Sequence, residues 1–173
     1  MPLVVSLRAT APSWDAGLAW AALAVVFTAA VPYGVIWFGV RRGRLTDHHI
    51  GVREQRRRPL LYGLLSCLLG LVGLVLLGAP RQLIALILAF FVVGIAITAI
   101  NQFWKLSAHA GVAACSAAVL TALFGPWLLL SYLVVAVIGW SRVRLRDHTA
   151  AQVIAGAAVG AALTHPMIKA SLM

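Results

Sequence analysis

Leu83 to Ile100 reads LIALILAFFVVGIAITAI, a run without a single charge and with Thr98 as its one hydroxyl. A helix that crosses a bilayer needs roughly 20 mostly apolar residues, and this stretch has that length. Its apolar residues do not alternate with polar ones, which excludes the strands of a membrane β-barrel. Outward from it, five more segments carry the same signal: Ala16 to Val40, Leu60 to Ala79, Ala108 to Phe124, Pro126 to Trp140 and Thr149 to Ile168. Gly125, Pro126 and Pro80 punctuate the connections, as turn residues do. Trp20, Trp37, Trp104, Trp127 and Trp140 fall near span ends, where amphipathic rings prefer the interface. The first span is too long for a signal peptide and has only Arg8 as a basic residue before it. The expected fold is all-α: a six-transmembrane-helix bundle forming one membrane domain over residues 1–173.

Composition agrees. Of 173 residues 62% are hydrophobic and 10% charged, and mean hydropathy is +0.98. Soluble domains run nearer ~45–50% apolar and ~25% charged, and disordered chains are poorer still in apolar residues. The charge is lopsided, with 14 Lys and Arg against 4 acids, a formal net of +10. Those acids, Asp15, Asp47, Glu54 and Asp147, are scattered. Metal-assisted phosphoryl chemistry relies on clustered carboxylates, so no metal or other cofactor is expected. Asp47-His48-His49 lacks a carboxylate cluster and makes a poor ligand set. Cys67 and Cys115 both lie inside spans and form neither a disulfide framework nor a metal site.

Six spans put both termini on one side, which holds three cations, Arg8, Arg81 and Lys169. The other side holds eleven, between Arg41 and Arg146. The positive-inside rule assigns the eleven to the cytoplasm. Twelve Arg against two Lys, with abundant Ala, suggest a GC-rich bacterium and hence its inner membrane. The cations sit in loops between apolar spans, which suits lipid head groups or a phosphorylated substrate and not nucleic acid.

Polar residues at span mouths are costly and mark candidate sites. Three loops on the basic side carry them. The first, Asp47 to Pro59, reads DHHIGVREQRRRP and sets Arg58-Pro59 at a helix start. The second is Lys105-Leu106-Ser107-Ala108-His109. Ser107 fits an N-cap, and a helix N-terminus offers free N–H groups to an anion. The third begins at Ser141-Arg142 and reaches His148 and Gln152, one turn apart. Gly156 and Gly160 continue the Gln152 face, a stripe that marks close helix packing. His148 and Gln152 are therefore expected to face the bundle. His165, near the other end of the last span, reads as interfacial. Asn101 and Gln102 are either helix-end residues or the lining of a site entrance. Two histidines can share nucleophile and general-acid roles in phosphoryl transfer, with Arg and Lys stabilising the phosphoryl oxygens.

The segments LSAH and SRVRLRDHTAAQ resemble two motifs of the type-2 phosphatidic acid phosphatase superfamily, the lipid phosphate phosphatases. Its motifs read K-x6-R-P, P-S-G-H and S-R-x5-H-x3-D, and its membrane members have six helices with all three motifs at one face. The resemblance implies that His148 is the nucleophile and becomes a phosphohistidine. His109 would protonate the leaving group and then activate water. Ser107 and Arg142 would hold phosphate oxygens, and Arg58 would match the first-motif Arg. The sequence departs from the pattern at Gly51, where the first motif has Lys; Arg53 or Lys105 would supply that cation. Leu106 and Ala108 replace Pro and Gly of the second motif, and Gln152 replaces the Asp of the third. Gln152 would orient His148 through its amide oxygen without adding charge.

The expected function is a membrane-embedded, metal-independent phosphatase acting on a lipid or isoprenoid phosphate or diphosphate, with membrane lipids as its surroundings. The departures leave two alternatives: a non-hydrolytic enzyme on the same frame, such as a phosphotransferase or a prenyl diphosphate cyclase or transferase, and a degenerate relative that only binds lipid.

Overall fold

Among the described residues there are eight α-helices: α1 (Pro2–Thr10), α2 (Trp14–Val25), α3 (Val31–Arg41), α4 (Arg53–Leu76), α5 (Arg81–Ile100), α6 (Ala108–Phe124), α7 (Ser131–Arg144) and α8 (Ala150–Leu172). A π-helical turn, Val26–Ala30, joins α2 to α3, and a 3-10 turn, Pro126–Leu130, leads into α7. The structure, a computed structural model, describes residues 1–43 and 53–172, with side chains over 1–43 and 57–168. There is no strand among the described residues.

Among the described residues five segments are long and apolar enough to cross a membrane: Trp14–Arg41, Arg57–Leu76, Arg81–Ile100, Pro126–Arg144 and Ala150–Ile168. The sixth expected span is α6, a shorter apolar helix of 17 residues. At 1.5 Å per residue it measures about 26 Å, against a hydrocarbon core of about 30 Å. Large apolar side chains such as Leu76, Leu133 and Ile154 are exposed along these helices. That surface is unsuited to water and fits a membrane protein.

The chain forms two compact units, Met1–Phe91 and Val92–Met173, with the division inside α5. In the first unit, α1 is an element the apolar pattern did not announce, because nine residues are too few to span. It packs on α2, and Gly17 makes the approach possible: a Cβ there would lie 2.5 Å from Thr10 Oγ1. Pro59 does not open its helix as expected. The helix starts at Arg53, so Pro59 lies inside it and offers no N–H to the carbonyl of Gln55.

The π turn before α3 has a cause in the sequence. Pro32 has no N–H for the carbonyl of Thr28, and its ring would crowd that oxygen. A local widening to the π pattern relieves this. The Phe27 carbonyl in the turn accepts a hydrogen bond from Ser66 Oγ of α4 at 2.7 Å. Gly70, one turn further along α4, lies against the Phe27 ring, where a Cβ would come within 2.5 Å of Phe27 Cβ. Ser66→Ala is expected to cost about 1 kcal/mol, the usual worth of a buried or intramembrane hydrogen bond. Thermal unfolding in detergent would register it; an unchanged midpoint would mean that the π turn needs no support from α4.

The second unit is built on α6, which packs closely along α8 and less extensively against α7. Its small core holds Ala114, Ala117 and Val135, with Tyr132, Ala157 and Ala161 against them.

Candidate functional site

The seam between α6 and α8 sets the site's geometry. Ser107, fully buried, caps α6: its Oγ accepts from the Ala110 N–H at 3.4 Å. Its own N–H donates to the Gln152 carbonyl at 3.2 Å. A Cβ on Gly156 would sit 2.5 Å from the Ser107 carbonyl oxygen, and one on Gly160 would collide with that of Gly111. Residues 107 and 111 thus meet 152, 156 and 160 in rising order, so the two helices run parallel. Their N-termini lie at the same end, where both positive dipole ends favour negative charge.

The approach to α8 is a tight turn. α7 ends in a Schellman arrangement: the Asp147 N–H bonds the Arg142 carbonyl at 3.0 Å and the Arg146 N–H bonds that of Val143 at 3.0 Å. The His148 N–H shares the Arg142 carbonyl at 3.3 Å. Arg146 holds the left-handed position of the motif, with φ +58°, where glycine is usual. Three arginines, one carboxylate and His148 are thereby gathered in seven residues. The turn fixes Arg142 as well. Its Nη1 pairs with Asp147 Oδ2 at 3.3 Å, and its Nε donates to Ser141 Oγ at 3.4 Å. Ser141 Oγ in turn donates to the Ile138 carbonyl at 2.8 Å. Among the described residues these contacts use two of its five guanidinium donors. Arg144 lies over the Trp140 ring, 5.9 Å from its centroid.

His148 is buried, with 8% of its surface exposed. His109 is not: it lies on an exposed face of α6 with Val112. Two residues on from Ser107, at about 100° each, it points some 200° away from the side that meets α8. The two imidazoles therefore do not share one buried pocket.

Gln152 is placed differently from the orienting contact anticipated for it. Its Oε1 accepts from the Thr149 N–H at 3.0 Å, and its own N–H donates to Thr149 Oγ1 at 3.4 Å. This is a reciprocal capping box, so the amide oxygen is engaged at the helix start.

Lys105 is half-buried before Ser107. Arg58 is exposed on α4 in the first unit. Arg53 opens α4, but its side chain lies outside the described residues, as do Asp47, His48, His49 and Gly51 altogether. His165 is exposed on α8. Asn101 proves to be a helix-end residue. It is buried, and its Nδ2 donates to the Ile97 carbonyl at 2.9 Å and to that of Leu106 at 3.4 Å. It ties the end of α5 to the loop that carries Ser107. Gln102 Nε2 donates to the Thr98 carbonyl at 2.9 Å. Asp147 is the site residue that the motif comparison passed over; its one visible sign was an acid within a basic loop. Among the described residues no three His, Cys, Asp or Glu side chains group as metal ligands.

No protein-family model, curated protein or solved structure matches this chain.

Arg146 invites a direct test. A side chain in the left-handed region is strained, and Arg146→Gly is expected to stabilise the protein by about 1 kcal/mol. Denaturant unfolding in detergent would measure it. A loss of stability instead would show that the Arg146 side chain contributes more than its backbone costs.

Proposed function

We propose that the protein is a membrane-embedded, metal-independent phosphatase of the lipid phosphate phosphatase type, with α6 as its sixth span. Its substrate is a lipid or isoprenoid phosphate or diphosphate, and it resides in a bacterial inner membrane with the basic loops toward the cytoplasm. The observation that supports this most is the meeting of two helix N-termini beside a rigid turn bearing Arg142 and a buried His148. Such a cluster of N–H groups, guanidinium and imidazole is suited to a phosphoryl group.

In this mechanism an imidazole nitrogen of His148 attacks phosphorus and the bond to the leaving oxygen breaks. Arg142, Ser107 and Lys105 hold the phosphoryl oxygens. With His109 on the outer side of α6, the leaving oxygen takes its proton from water, and a further water then releases phosphate from the phosphohistidine. Phosphate release from a panel of lipid phosphates in EDTA, blocked by vanadate, is the test. Absence of release from every member would reject hydrolysis.

A second reading is a lipid-phosphate binder without turnover. It is favoured by the outward His109 and by the engagement of Gln152 in the capping box. Vanadate binding without phosphate release would select it. Product analysis separates the transferase or cyclase alternative, since a free alcohol marks hydrolysis.

A further inference from the structure

An apolar groove of about 370 Å³ lies between α7 and α8, and it begins at the Arg142–His148 turn. Val143 and Ala150 line it next to the turn, Tyr132 and Ala157 at its far end. Its origin is steric. The helices touch where Gly139 meets Val153, since a Cβ on Gly139 would lie 2.6 Å from Val153 Cγ1. On either side the facing residues include Ala136, Ala150 and Ala157, too small to close the gap. Ala136, Ala150 and Ile154 are exposed, so the groove is open to its surroundings, and in a bilayer hydrocarbon fills it.

Two dimensions restrict that occupant. From Tyr132 to Val143 the groove follows α7 for about 16 Å, at 1.5 Å per residue, roughly one leaflet of a 30 Å core. Its volume is that of about a dozen liquid waters, room for one hydrocarbon chain and not for two. Charge restricts it further. The mouth carries Arg142, Arg144 and Arg146 against the single carboxylate of Asp147. A neutral lipid would fill the groove but offer nothing to guanidinium groups that outnumber the one carboxylate, already paired with Arg142, whereas a phosphorylated one satisfies both ends.

We propose that the α7–α8 groove seats the single alkyl or prenyl chain of a phosphorylated lipid whose phosphate rests at the Arg142–His148 turn. This rests on the reading above that the turn takes a phosphate, and it names the lipid class as single-chain.

The test uses the full chain in phosphatidylcholine nanodiscs and a single-chain alkyl phosphonate with a diazirine in mid-chain. The matching alkyl alcohol serves as the neutral probe. After illumination, labelled peptides are mapped by mass spectrometry. The phosphonate should label groove residues about tenfold more than the alcohol does, the least that a charge-assisted phosphate contact confers. Ala136→Trp, at an exposed groove position, should cut that labelling about as much, while Ala158→Trp, exposed on α8 but outside the groove, should leave it unchanged. Unlabelled single-chain phosphonate should displace the probe at least tenfold better than two-chain phosphatidic acid. Equal labelling by phosphonate and alcohol would reduce the groove to ordinary annular lipid contact and overturn the proposal, as would labelling elsewhere. Equal displacement by the two-chain lipid would overturn the single-chain assignment. Phosphate release is scored separately on a short, water-soluble alkyl phosphate. Release with labelling elsewhere refutes the groove and leaves the phosphatase standing; groove labelling without release from any substrate does the reverse.

Discussion

Gly160→Ala should destabilise the protein by about 3 kcal/mol, the upper range for overpacking, because the new methyl group would meet backbone. The Cβ would run into the carbonyl oxygen of Gly111, and no side-chain rotation relieves that contact. The helices must separate, and with them the Ser107 N–H to Gln152 carbonyl bond at the site. Gly73→Ala on α4 is the matched control: nothing lies within 4 Å of the Cβ it would add. It should be neutral or slightly stabilising, since alanine favours helix more than glycine does. Thermal unfolding of both variants in the same detergent gives the comparison. If Gly160→Ala melts with Gly73→Ala, the α6–α8 seam is looser than described. If the phosphatase reading is right, Gly160→Ala should also lose phosphate release out of proportion to its residual fold.

The seam was legible because its signals are local and redundant. Ser107 and Gly125 bracket an apolar run, and α6 spans Ala108–Phe124 between them. Gly156 and Gly160 lie one turn apart on the face that meets α6. The same logic carries the side of α6 that faces inward, since Ala110, Gly111, Ala114 and Ala118 are buried. His109 falls off that face, and the motif likeness, which follows sequence order and not helical angle, concealed it. Other features were hidden for different reasons. The π turn at Val26–Ala30 arises from one proline inside a run that reads as uniformly apolar. The left-handed Arg146 gives no sign, because glycine is the residue that normally announces this backbone. Asp147 matters through a hydrogen-bonding geometry that exists only once the turn has closed. Span-level order is written in hydropathy, whereas the site depends on side-chain direction, which hydropathy does not encode.

The largest effect on activity is expected at His148. In a phosphohistidine mechanism His148→Ala removes the atom that bonds phosphorus, and turnover should fall more than ~1,000-fold. The turn itself should survive, because the bonds that close it are backbone bonds to the Arg142 and Val143 carbonyls. Vanadate affinity should therefore persist within about tenfold, carried by the arginines and the helix N-termini. Asp147→Asn is predicted to act differently. Its partner Arg142 is 16% exposed and Asp147 28%, so the ion pair contributes at most about 1 kcal/mol to stability. Its larger part is to aim the guanidinium, and a loosened Arg142 should raise KM by several-fold while kcat changes less. Gln152→Ala should weaken the capping box by about 1 kcal/mol, with activity following stability. A His148→Ala protein that still releases phosphate at the wild-type rate would remove the nucleophile from the scheme. One that loses vanadate binding along with turnover would mean that the imidazole, and not Arg142, holds the anion.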